Sequence, residues 1–191
     1  MLKSHFILGA CWVLYGFLHS MLANETVKSG ITSSLGIKPA SYRIGYNVFA
    51  AVTLVIILYF LVKIQSRYLF TSLIVQFIIA PIFIVAGISI MIYCIIKYFR
   101  QLSGLNGNSD KLIISGLHSF VRHPLYSGTF LFLAGLFLLM PSLANLISVI
   151  IIISYTVLAI PLEEKKLVKQ FGDQYISYIK NVPTFFPKWL K

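Results

Sequence analysis

The sequence predicts an all-α integral membrane protein with about five transmembrane helices, a C-terminal helical hairpin and an interfacial amphipathic helix. Three observations carry that expectation. The 191 residues are 58% hydrophobic and only 11% charged, with a mean hydropathy of +0.87, far from the balance of a soluble globular domain. Five apolar runs are long enough to cross about 30 Å of hydrocarbon. The basic residues sort onto one side of those runs. Little chain is left for a soluble domain, so one domain, 1–191, is expected, with three spans in 1–96 and the remainder in 97–191.

The first run, His5 to Leu22, follows Lys3 and precedes Ala23, as in a secretory leader. Trp12, Tyr15 and His19 interrupt it and four more runs follow, so it reads as a span. Ala23 to Arg43 carries Gly30, Ser33, Ser34, Gly36 and Pro39, a connector rich in helix breakers. Ile44 to Val62 is the second span. The third, Leu69 to Ile96, is long for one crossing and holds Pro81, which predicts tilt or a kink. Lys97 to His123 is the longest polar stretch, and its centre, Gly104 to Asp110, is rich in residues that accept positive φ. Pro124 suits the first position of a helix, where its missing N–H costs nothing. Two runs, Pro124 to Met140 and Leu143 to Ile160, meet at Pro141 and Ser142 as a tight antiparallel hairpin, and Pro161 ends or kinks the second. Beyond it Leu162, Leu167, Phe171, Tyr175 and Ile179 recur at four- or five-residue steps with Lys165, Lys166, Lys169 and Lys180 between, an amphipathic helix at the interface. Phe185, Phe186 and Trp189 follow as aromatic anchors.

Five crossings put thirteen Lys and Arg residues, from Lys28 to Lys191, on one face and only Lys3, Lys63 and Arg67 on the other. The rich face is expected to be cytoplasmic, with the amino terminus outside and the carboxyl terminus inside. The net charge of +11 is scattered over span ends, which suits anionic lipid headgroups and excludes a nucleic-acid surface. Cys11 and Cys94 fall inside spans without metal spacing, and His19, His118 and His123 lack accompanying ligands, so no metal is expected.

The hairpin brings its open ends together. Arg122, His123 and Pro124 begin one run, and Glu163 and Glu164 end the next, so a cationic and an anionic cluster should meet at one cytosolic rim. Two adjacent carboxylates at a membrane boundary are costly unless they bind something. The start of the helix at Pro124, with its unpaired N–H groups and the Arg122 charge, suits electron-rich ligand groups.

SGLHSFVRHPLYSG, Ser115 to Gly128, followed by LEEKKLVKQFGDQYISYIKNVPTFFP, Leu162 to Pro187, resembles the membrane methyltransferases that include isoprenylcysteine carboxyl methyltransferases and phospholipid methyltransferases. FLHSMLANETVK, Phe17 to Lys28, SYRIGYNVFA, Ser41 to Ala50, and FRQLSGL, Phe99 to Leu105, are similar to the branch holding methanethiol S-methyltransferases and NnrU-type proteins. The resemblance implies a methyltransferase that binds S-adenosylmethionine at the cytosolic end of the hairpin. It carries cofactor binding onto Glu163, Arg122, His123 and Pro124, with Glu164 as the second member of the pair. Tyr126 supplies an aromatic hydrogen-bonding surface, His118 stands where relatives often have Tyr, and Leu112 with Ile113 match a cofactor-lining stretch in the loop that follows Lys97.

Where the prenylcysteine enzymes carry an Arg that engages substrate, four residues before the Glu, this chain has Ala159. That departure points to a neutral lipophilic acceptor, a small thiol or a membrane lipid. Methyl transfer from a sulfonium needs alignment and dryness more than a general base, but a thiol acceptor would profit from an imidazole, since the thiolate is the nucleophile. His19 is the catalytic candidate. Two alternatives are open at this stage: a membrane reductase with a nicotinamide cofactor, and a non-catalytic NnrU-type accessory or transport protein.

Overall fold

The computed structural model describes residues 2–102 and 112–187, so the loop centre from Gly104 to Asp110 and the anchor Trp189 lie outside the described residues. Every regular element among the described residues is helical: α1 (Leu2–Ala23), α2 (Glu25–Leu35), α3 (Pro39–Lys63), α4 (Ala80–Leu102), α5 (Pro124–Leu139), α6 (Leu143–Phe171) and α7 (Asp173–Asn181). Among the described residues, four helical segments are long and apolar enough to cross a membrane: Leu2–Ala23, Pro39–Lys63, Val75–Lys97 and Leu143–Phe171. The fifth expected span, α5, is apolar but has only 16 residues. This is an all-α integral membrane protein, and its helices pack as two compact units.

The first unit, Met1–Leu69 with Ser142–Tyr155, contains α1, α2, α3 and the start of α6. On α1 the buried residues are His5, Leu8, Trp12 and Gly16, which recur every three or four positions and so share one face, while Phe6, Val13 and Phe17 are exposed. The polar groups on this buried face are satisfied. Trp12 Nε1 donates to Ser148 Oγ at 2.8 Å, and His5 Nε2 lies 2.9 Å from Ser66 Oγ. Where no water competes, such bonds join helices that have no hydrophobic drive to associate. Ser66 Oγ also accepts from the Ala144 N–H at 3.0 Å, and Ser142 Oγ accepts from the Asn145 N–H at 3.2 Å. These two hydroxyls cap the start of α6.

The connector between the first two spans holds a helix that its glycines and serines concealed. Asn24 caps α2 by accepting the Thr26 N–H at 2.9 Å, and Gly36, at φ +62°, closes it in the left-handed conformation. Pro39 then opens α3.

The second unit is Phe70–Pro141 with Thr156–Lys191. Its first span begins later than the sequence predicts: residues 69–72 are irregular, and a π-helical turn, Val75–Ile79, leads into α4. Pro81 lies just beyond. A proline has no N–H for the preceding turn and its ring crowds the carbonyl four residues back, and the widened turn supplies the room. The backbone of α5 packs against α4 through small residues. A Cβ added at Gly87 would stand 2.5 Å from Phe132 N and 2.6 Å from Gly128 O, and one at Gly135 would stand 2.8 Å from Ile84 N and 3.0 Å from Ala80 O. Ala80 and Gly87 on α4 thus meet Gly128 and Gly135 on α5, a spacing of seven on both helices that lets the chains touch.

Pro161 does not end the last long helix. It sits inside α6, which runs on to Phe171; Pro161 is exposed, as is Val157, the residue whose carbonyl the missing N–H would have met. The predicted amphipathic segment is divided instead at Gly172, whose φ of +56° turns the chain into α7.

Candidate active site

The carboxyl end of α6, the start of α5 and the segment after α7 come together in the second unit. Pro124 is the first residue of α5 and His123 its N-cap. The two residues before the helix offer their N–H groups to the tail: Arg122 N donates to Pro183 O at 2.8 Å and His123 N to Thr184 O at 3.1 Å. Ser127 Oγ adds a bond to Phe185 O at 2.8 Å. The tail therefore runs as a strap across the amino end of α5.

Arg122 locks that strap. Its Nε donates to Glu164 Oε1 at 2.8 Å, Nη2 to Thr184 Oγ1 at 3.0 Å, and Nη1 to the carbonyls of Ile179 (3.3 Å) and Val182. Four bonds nearly exhaust a guanidinium that carries five donors, and the side chain is 9% exposed. The sequence reading has this charge facing a ligand; the structure turns it toward the protein.

Glu164, 17% exposed, is the shared acceptor. Its Oε1 takes the Arg122 bond and lies 3.2 Å from His123 Nε2. His123 is 6% exposed, and Tyr126 stacks on it with ring centroids 5.5 Å apart and planes 19° apart. The Tyr126 hydroxyl reaches back to Glu163, donating to Oε2 at 3.0 Å. Glu163 is exposed, and its other oxygen has no protein partner among the described residues. The two glutamates thus differ: Glu164 is held by Arg122 and His123, and Glu163 is offered outward. Phe185 and Phe130 add an aromatic wall, 5.0 Å apart, with Phe185 also 6.4 Å from His123.

His118 belongs to a 3₁₀ turn, Gly116–Ser119. Its Nδ1 lies 3.2 Å from Arg122 O, and its own carbonyl accepts from Tyr178 OH at 2.6 Å. Burial pulls its pKa below 6.5, against the opposing bond from Arg122. Leu112 and Ile113 are half-buried in the stretch that leads into this turn. His19 lies in the first unit, where Tyr46 OH is 3.0 Å from both ring nitrogens and Tyr15 packs against it.

Thr184 and Phe185 also contribute, and neither stood out in the sequence as a site residue. The ending Val182-Pro183 was the available signal, because a proline after a short amphipathic helix marks where the chain must turn back.

Fold and site together define an integral membrane protein with paired carboxylates, an imidazole and stacked aromatic rings at the ends of its last long helices. The phospholipid methyltransferase family model matches residues 70–174, more than half of the chain. The chain belongs to the phospholipid methyltransferase family. A Protein-S-isoprenylcysteine O-methyltransferase of Schizosaccharomyces pombe is 32% identical over 91 residues, 47% of this chain and 39% of that protein. A Methanethiol S-methyltransferase of Crocosphaera subtropica is 26% identical over 187 residues, 91% of this chain and 71% of that protein. The Protein-S-isoprenylcysteine O-methyltransferase B of Arabidopsis thaliana is 31% identical over 78 residues, 40% of each. The chain thus spans about two fifths of the isoprenylcysteine enzymes and about seven tenths of the methanethiol enzyme. No solved structure matches it at comparable significance.

Proposed function

We propose that the protein is an S-adenosylmethionine-dependent methyltransferase of the membrane that acts on a small lipophilic acceptor, foremost a thiol. The observation that carries this reading is the division of labour in the glutamate pair: Glu164 is engaged by Arg122 and His123, while Glu163 keeps an outward carboxylate oxygen. The donor set fits the cofactor. A sulfonium nucleoside carries cationic groups, ribose hydroxyls and a flat purine, and this rim offers an anionic carboxylate and the stacked pair His123 and Tyr126. When bound, the cofactor supplies an electrophilic methyl group.

The protein's part is alignment and exclusion of water. Glu163 would hold a cationic or hydroxyl group of the cofactor, with Tyr126 fixing its rotamer. Arg122, Glu164 and the strap would fix the start of α5, and Leu112, Ile113 and His118 would line the wall reached through the 3₁₀ turn. The relative matched over most of this chain is named for methanethiol, and Ala159, one helical turn before Glu163, provides no cation for a carboxylate substrate. Both support a neutral thiol over prenylcysteine. The charge distribution supports a cytoplasmic site, with the amino terminus outside and the carboxyl terminus inside.

Titration of the detergent-purified protein with S-adenosylhomocysteine tests the reading. Binding is expected, with a loss of about tenfold or more in Glu163→Gln, because a charge-assisted bond is worth about 1.5–3 kcal/mol. Labelled methyl transfer to methanethiol and longer thiols, but not to prenylcysteine, is the expected turnover. Absence of binding in the parent protein, or binding of a nicotinamide dinucleotide in its place, would overturn it.

A further inference from the structure

Tyr175 is the third residue of α7 and one of the most buried large side chains, at 2% exposure. Its ring packs against Tyr178, with centroids 5.7 Å apart. The two hydroxyls have opposite fates. Tyr178 OH is tied to His118 O at 2.6 Å, whereas Tyr175 OH makes no hydrogen bond with any described residue. No fully enclosed side-chain oxygen in the described residues lacks a partner, so the little accessible surface Tyr175 keeps includes its hydroxyl. Ile179, one turn beyond Tyr175 on α7, gives its carbonyl to Arg122 Nη1 at 3.3 Å, so this stretch of α7 lies against the Arg122–Glu164 cluster, and burial together with the two carboxylates makes the Tyr175 hydroxyl a weaker acid than a free phenol. It therefore remains an O–H at physiological pH.

A buried ring whose hydroxyl alone reaches the surface keeps a donor that the fold itself does not use, and a phenylalanine would fill the same space. We infer that Tyr175 is a ligand-binding residue of the carboxylate rim, its hydroxyl donating a hydrogen bond to a neutral oxygen or ring nitrogen of the bound nucleoside. The inference deepens the proposed function and rests on it. Glu163 would take the cationic or hydroxyl end of the ligand, and Tyr175 would take an acceptor that no carboxylate can serve.

Tyr175→Phe removes the hydroxyl and leaves the packing. Thermal unfolding of the apo variant should match or exceed the parent, while affinity for S-adenosylhomocysteine falls about three- to tenfold, the worth of one neutral hydrogen bond. Tyr178→Phe is the contrast: it should lower the unfolding temperature, because its hydroxyl is already spent on His118. Equal affinity of Tyr175→Phe and parent would overturn the inference while leaving the proposed function standing. A parent that does not bind S-adenosylhomocysteine would overturn both. Should the variant fold poorly, 3-fluorotyrosine incorporated at position 175 keeps the hydroxyl and reports through its ¹⁹F resonance. A shift on adding S-adenosylhomocysteine is expected, and an unmoved resonance in a protein that binds the ligand would refute the contact.

Discussion

Replacing Arg122 by lysine separates a residue that grips the protein from one that grips a ligand. The guanidinium holds Glu164 Oε1, Thr184 Oγ1 and the carbonyls of Ile179 and Val182. Lysine keeps the charge but presents three donors around one atom, which cannot reach partners spread on both sides of a fork. With the Glu164 contact retained, two or three of the four bonds are lost. At about 0.5–1.5 kcal/mol for each neutral bond and more where the donor is charged, the cost is about 2–4 kcal/mol. For a chain of this size that corresponds to a fall of roughly 5–15 °C in unfolding temperature. Thermal unfolding in detergent measures the first effect. Limited proteolysis measures the second, since residues 182–187 should become cleavable once the strap loses its lock. A variant with the parent's melting temperature and an equally protected tail, but weaker cofactor binding, would show that Arg122 faces the ligand after all.

Two further outcomes follow from geometry and burial. Gly87→Ala should destabilise the protein by about 2 kcal/mol or more, because its methyl would meet backbone atoms of α5 at 2.5 and 2.6 Å. Gly30→Ala, inside α2 with nothing within 4 Å, should stabilise it by up to about 1 kcal/mol; parallel melts check both. His118 has a folded pKa below its ordinary 6.5, so the unfolded chain takes up its proton first. Its contribution is fully present above about pH 6.5 and is lost as the pH falls through that value toward the folded pKa. His118→Gln should flatten that acid loss in unfolding midpoints measured across the range.

The spans were legible because hydrophobic length alone marks them: the expected runs at His5–Leu22, Ile44–Val62 and Leu143–Ile160 all lie inside observed helices. Helix boundaries set by single side chains were harder. Gly30, Ser33 and Ser34 read as breakers, yet Asn24 and Gly36 are the cap residues that bound α2. Pro161 read as an end or a kink, and of the two the end did not occur, because at an exposed turn of a long helix the lost bond is tolerable. At the site, the meeting of Arg122 and His123 with the glutamate pair was legible from the spacing of the charged ends. The choice of Glu164 over Glu163 as Arg122's partner was not, since neighbours on a helix point about 100° apart and only tertiary packing fixes which faces inward. Nor could a linear reading see that Arg122 spends its donors on main-chain carbonyls of Ile179 and Val182, which carry no side-chain signal.

The 16 residues of α5 make a rod of about 24 Å, some 6 Å less than the oily layer of an ordinary bilayer. For that rod to join both surfaces, the lipids around it must dimple inward. Thinner bilayers would suit the protein best, and His123 at its tip would then sit below the surrounding headgroup plane, level with the first carbons of neighbouring acyl chains.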